Sequence, residues 1–116
     1  MEKIYRLASA AERDLLDILA YTNRQWGSAQ AEKYVAEIEA CLEAIVKGRV
    51  RGKPFLVQEI KIFIWLCKKH YIFFLDRGES IDVLAILHIS MDLVLHLQDR
   101  FGDYQSANGG SDGDFR

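Results

Sequence analysis

The chain has 116 residues, half of them hydrophobic, with 15 Lys and Arg against 17 Asp and Glu, a formal net charge of -2 and a pI of about 5.9. That length is one domain with a real core, burying roughly two thirds of the surface its unfolded form exposes, so wholesale disorder is excluded. A balance this close to neutral also excludes the strongly basic make-up of a protein that grips nucleic acid along a whole face.

Met1-Glu2-Lys3-Ile4 carries no apolar leader region. The longest apolar run, Ile60 to Leu75, is interrupted by Lys61, Lys68, Lys69 and His70, short of the ~20 residues a membrane helix needs. A cytoplasmic protein without membrane contact is expected. Two cysteines, Cys41 and Cys67, do not make a disulfide framework and read as buried free thiols.

Residues Lys3 to Leu7 predict a short strand. Ser9-Ala10-Ala11-Glu12 has the form of a capping box opening a helix. Ala11, Leu15, Ile18, Leu19 and Thr22 recur at three and four, with Trp26 one turn further on the same stripe. Gly27 ends that helix and Ser28 is placed to cap a second. The second carries Ala31, Tyr34, Val35, Ile38, Cys41, Leu42 and Ile45 on one face and Glu32, Lys33, Glu37, Glu39 and Glu43 on the other. So short a link folds the pair into an αα-hairpin.

Gly48 to Pro54 reads as a loop, after which the period changes from 3.6 to 2. Ile60, Ile62, Ile64 and Leu66 alternate with Lys61, Phe63, Trp65 and Cys67, and His70 to Leu75 and Ile81 to Leu87 follow as further strands. Short turns at Lys68-Lys69 and Asp76-Arg77-Gly78-Glu79 make the three an antiparallel meander. The strands are apolar on both faces, so the sheet needs a second cover besides the hairpin. Met91 to Phe101 predicts a short amphipathic helix, and Gln105 to Arg116 a disordered polar tail. The expected fold is α+β, a two-helix hairpin on a mainly antiparallel sheet, with one domain over residues 1–101 and a tail over 102–116.

Several stretches carry a family resemblance. Tyr5-Arg6-Leu7 with Ala10-Ala11-Glu12-Arg13-Asp14-Leu15 and Asp17-Ile18, then Tyr21-Thr22, Gln25-Trp26-Gly27, Gln30-Ala31-Glu32 and Tyr34, resemble the opening of ParE-type toxins of the RelE/ParE superfamily. Gly52-Lys53-Pro54 is similar to that family's Gly-Arg-Pro before the sheet. His70-Tyr71-Ile72-Phe73-Phe74 resembles its central strand, and Val83-Leu84, Leu87-His88 and Met91-Asp92 its last strand and exit. The likeness covers roughly Lys3 to Leu97. Where relatives often carry arginines, this chain has Phe63, Ile64 and Leu75.

The resemblance implies the toxin of a type II toxin–antitoxin pair, inhibiting DNA gyrase by binding and neutralised by a ParD-like antitoxin in a hetero-oligomer. It implies neither catalysis nor sequence-specific nucleic-acid binding by the toxin alone. One alternative is a RelE-like ribosome-dependent endoribonuclease. Metal-free RNA cleavage needs a base, an acid and cations on the phosphate; Lys61, Lys68, Lys69, His70, Tyr71, Arg77 and His88 are the pool, with His88, Lys69 and Arg77 foremost. Another is a degenerate member that binds its antitoxin without toxicity. Phe63, Trp65, Ile72 and Phe74 are the expected antitoxin contacts, as an apolar face incompletely covered by the hairpin. Lys47, Arg49, Arg51 and Lys53, a basic run without an intervening acid, are the expected target contacts. His70, His88, His96, Cys41 and Cys67 lack zinc-site spacing and no phosphate loop precedes a helix, so neither metal nor cofactor is expected.

Overall fold

The structure, a computed structural model, describes residues 2–91. The chain runs β1 (Ile4–Leu7), α1 (Ser9–Trp26), α2 (Ser28–Val46), β2 (Lys53–Val57), β3 (Ile60–Cys67), β4 (His70–Asp76) and β5 (Ser80–His88). The five strands form one sheet in the order β1-β5-β4-β3-β2. β2 to β5 make an antiparallel meander, and β1 pairs in parallel with β5. The α+β architecture expected from the sequence is the one observed. The expected helix over Met91 to Phe101 beyond its first residue, the boundary at residue 101 and the polar tail lie outside the described residues.

The hairpin turns on Gly27, which closes α1 and opens α2. At φ 92° it occupies a backbone region where a Cβ is costly; its N–H donates to the Asn23 carbonyl and its carbonyl accepts from Ala31. The expected caps are displaced by one residue. α1 begins at Ser9 itself, with Ala8 as cap and no side-chain capping bond, and Gly27 takes the position expected for Ser28.

One strand was not legible. Lys53–Val57 forms β2, although Gly52 and Pro54 read as loop. Pro54 is tolerated because β2 is an edge strand, where a missing N–H costs no ladder bond. The β2–β3 turn uses Gln58 and Glu59, both at positive φ (52° and 68°), without the glycine or asparagine that normally announces such a turn.

β3 alternates as expected. Phe63, Trp65 and Cys67 face the hairpin, joining Ile38, Leu42, Ile45, Ile72 and Phe74 in the main core. Ile62 and Ile64 face the other side, where Phe73, Leu84, Ala85 and Leu87 form a second cluster to which neither helix contributes. β5, flanked by β4 and β1, is buried from Ile81 to Leu87, which explains its unbroken apolar run. A register shift at Phe73/Phe74 lets Val83 and Ile86 both face the hairpin while Leu84, Ala85 and Leu87 face away.

Cys41 and Cys67 are not the free thiols expected: their Sγ atoms are bonded, with the Cα atoms 6.4 Å apart, within the range such a bridge spans. Packing sets a position on the inner stripe of α2 over the last hairpin-facing residue of β3, a coincidence that the 26-residue separation does not announce.

Candidate functional site

α1 spans about 27 Å at 1.5 Å per residue and starts only beside Val83, part-way along β5, where β1 ends. Its first half seats Ala11 and Ile18 in the core. Its last turns overhang the end of the sheet, where β4 begins at His70 and β5 ends at His88. The stripe that buries Ala11 therefore presents Tyr21 and Trp26 to solvent, 57% and 73% exposed. Trp26, expected to continue the core, instead walls a cleft of about 1010 Å³. The other walls are Gln30, Tyr34 and Glu37 of α2, the β3–β4 turn at Lys68 and Lys69, and His70, His88, Ser90 and Met91.

A polar chain crosses this cleft. The Lys69 backbone N–H donates to the Tyr34 hydroxyl over 3.3 Å, and that hydroxyl lies 2.6 Å from His70 Nδ1. With its oxygen already accepting, the hydroxyl is positioned to donate its proton to Nδ1, which assigns His70 the neutral tautomer protonated at Nε2. Burial, then the neighbouring His88, pushes the His70 pKa down to about 4, in keeping with that assignment. Burial, with Glu37 adding to it, raises the Tyr34 pKa, so the phenol keeps its proton. The His70 and His88 rings meet edge to face with centroids 5.1 Å apart, and His88 Nδ1 lies 2.7 Å from the Ser90 hydroxyl. Lys68 pairs loosely with Glu37 at 3.9 Å.

Asp14 is the feature that sequence reading missed. β1 accompanies β5 only to Val83, where the Ala8 N–H takes the Val83 carbonyl. Beyond that point α1 replaces it: the buried Asp14 carboxylate accepts the Ile86 N–H over 2.9 Å. A carboxylate within an apolar helical stripe was the available signal, since such a group is rarely buried without a donor.

The ribonuclease candidates are only partly assembled. His88 and Lys69 meet at the cleft with His70 and near Tyr34, but Arg77 stands at the opposite end of β5. There it donates to Asp82 over 3.2 Å, alongside Arg6 and Ser80. Asp82 is fully buried, and the two guanidiniums offset its charge. Lys61 lies exposed on β3 and Tyr71 packs into the second cluster.

The face expected to be incompletely covered by the hairpin is buried at two of its four residues and half-covered at the other two. Ile72 and Phe74 lie buried beneath the hairpin, and Phe63 and Trp65 are half-buried against the same core, because α1 and α2 cover the sheet side to which all four point. These residues do not present an uncovered apolar surface. Lys47, Arg49, Arg51 and Lys53, in contrast, are all exposed along the α2–β2 connection, and none forms an ion pair among the described residues. Gly52, within that run, leaves no room for a side chain: a Cβ there would stand 2.8 Å from the Phe63 Cβ and 2.9 Å from the Phe74 ring. The stacked Phe63 and Phe74 rings, 5.6 Å between centroids, thus hold the basic connection against the sheet.

Comparison with known proteins bears on this arrangement. Residues 5–93 match the family model described as the ParE toxin of the type II toxin–antitoxin system parDE. The chain is 39% identical over 97 residues to the Toxin ParE of Escherichia coli, covering 83% of this chain and 94% of that protein. It is 31% identical over 96 residues to Toxin ParE1 of Caulobacter vibrioides, covering 82% and 98% respectively. A solved structure described as the chromosomal ParDE TA system from P. aeruginosa shares the fold, with a TM-score of 0.65 at 19% identity over 78% of this chain and 98% of that one. The hairpin, the five-strand mixed sheet and the match from Tyr5 onward agree, and the chain belongs to the ParE toxin family of type II toxin–antitoxin systems.

Proposed function

We propose that this ParE-family toxin inhibits DNA gyrase by binding, performs no chemistry of its own, and is neutralised by a ParD-like antitoxin. The observation that carries the non-enzymatic reading is the separation of Arg77 from His88 by the length of β5, roughly 25 Å at the rise of an extended strand. Without Arg77 the cleft offers a phosphate, among the described residues, only Lys68 and Lys69 as fixed cations, and Asp14, Asp17 and Glu37 line the same walls. Carboxylates facing a phosphodiester oppose the charge stabilisation that RNA cleavage needs. The exposed run Lys47, Arg49, Arg51 and Lys53 is the surface offered to the target. Its uncompensated charge suits an acidic protein face and speeds encounter.

The antitoxin is assigned to the cleft. Tyr21, Trp26 and Met91 supply exposed apolar area in a cleft also lined by Asp17, Glu37, Lys68 and Lys69. That combination suits an amphipathic helical segment with flanking charges of both signs. The hetero-oligomer follows from this assignment. The ribonuclease reading keeps His88, Lys69 and the Tyr34–His70 pair in one place, and is tested in the same experiment.

That experiment incubates the purified chain with DNA gyrase and relaxed plasmid, and separately with translating ribosomes and mRNA, each with and without a ParD-like antitoxin. Loss of supercoiling with intact mRNA, reversed by the antitoxin, is the expected result. Cleaved mRNA with unimpaired gyrase sinks the proposal in favour of the ribonuclease, and inactivity in both assays identifies a non-toxic member.

A further inference from the structure

We propose that the Cys41–Cys67 bond is a reversible redox staple that sets the shape of the cleft; its consequence for antitoxin affinity rests on the cleft being the antitoxin site. Cys41 follows Glu37 by one helical turn and Tyr34 by two, and Cys67 directly precedes Lys68, Lys69 and His70. The bond therefore ties the α2 wall of the cleft to the turn that forms the facing wall. Besides the packing of Tyr34 on the core, the ties between these walls are polar and partly solvated: the Tyr34–His70 and Lys69–Tyr34 hydrogen bonds and the 3.9 Å Lys68–Glu37 pair. A pair of the last kind holds little by itself. Ile38, Leu42 and Ile45 seat α2 in the core by packing that does not involve the bond, so reduction is expected to loosen the cleft without unfolding the hairpin.

The chemistry is thiol–disulfide exchange, and the chain has only these two cysteines, so no alternative pairing competes within it. Cys67 is 2% exposed and Cys41 is partly exposed, so exchange enters at Cys41 Sγ. Its thiolate attacks oxidised glutathione, breaking the glutathione S–S bond and releasing one glutathione thiolate. Cys67 Sγ then attacks the mixed disulfide, forming the Cys41–Cys67 bond and releasing the second. Two electrons pass from the protein to glutathione, and the two cysteine protons end on the two glutathione thiols. Reduced glutathione in excess reverses the sequence.

The test uses the purified full chain under oxidised glutathione or a thiol reductant, beside Cys41→Ser/Cys67→Ser. Thiol titration should count no free thiol in the oxidised protein and two in the reduced. The oxidised protein should melt about 10 °C higher, as closing a loop of this length constrains the unfolded chain. The His70 and His88 ring resonances should differ between the two states and be indifferent to redox in the serine variant. Affinity for a ParD-like antitoxin should fall about tenfold on reduction. Shifted resonances with unchanged antitoxin affinity uphold the staple and tell against the cleft as the antitoxin site. Two thiols persisting under oxidised glutathione overturn the proposal, as does a bond whose opening leaves the histidine resonances in place.

Discussion

Asp14 and His70 each do structural work through a specific partner. The Asp14 carboxylate satisfies a β5 amide that no strand reaches. Asp14→Ala leaves that buried N–H without this acceptor and is expected to cost about 1–3 kcal/mol, read as a lower midpoint in urea. Asp14→Asn keeps an acceptor oxygen and should lose less. His70 titrates near 4 when folded and near 6.5 when unfolded. Between those values the unfolded chain binds more protons, so its contribution to stability is fully present above about pH 6.5 and is lost as pH falls towards 4. The full linkage, about 3 kcal/mol, is reduced by partial solvent contact to about 1–2 kcal/mol. Urea titrations from pH 7 to 4 should show this decline, and His70→Gln should flatten it. An undiminished decline in that variant would reassign the effect to other groups.

Among the elements, the β2–β3 hairpin carries two consecutive non-glycine residues at positive φ, against one, Lys68, in the β3–β4 turn. Gln58 and Glu59 both occupy left-handed backbone, at roughly 1–2 kcal/mol per residue. Gln58→Asn with Glu59→Gly installs the pair that such a turn prefers and should raise stability by about 1–2 kcal/mol, measured as a higher thermal midpoint. The same turn shows why β2 escaped sequence reading: Gly52, Pro54 and a turn lacking glycine all argue against a strand, and pairing with β3 from Lys53 to Val57 overrides them. The helices were legible because their apolar period extends over four or five turns and Gly27 marks the reversal. β3, β4 and β5 were legible from alternation and length. Their polarity was ambiguous, since residues apolar on both sides do not say which side the helices take.

At the scale of the whole molecule, the candidate site is a consequence of mismatch. α1 starts part-way along β5, at Val83, so its core stripe runs off the end of β4 and β5 and becomes the wall of a cleft. Trp26→Ser and Tyr21→Ser sit on that overhang, and because both side chains are largely exposed they should leave the melting temperature nearly unchanged. Each should weaken binding of a ParD-like antitoxin by about tenfold or more, as loss of a central aromatic anchor does, measured by calorimetry. Unaltered affinity in both would move the antitoxin elsewhere on the surface.

The sequence by itself determined the α+β class, the hairpin, the meander and the family, because each follows from periodicity, glycine placement or ordered motifs, all local along the chain. It also placed His88 at the end of the last strand and left the basic run Lys47, Arg49, Arg51 and Lys53 in a connection. Only the tertiary structure decided which face of the sheet the hairpin covers, and so removed Ile72 and Phe74 from the surface. It alone joined Cys41 to Cys67, set Asp14 against Ile86, brought Tyr34 to His70 and separated Arg77 from His88. Those outcomes depend on where β1 stops and α1 starts beside β5 and on which faces pack together, relations between segments that no local pattern encodes.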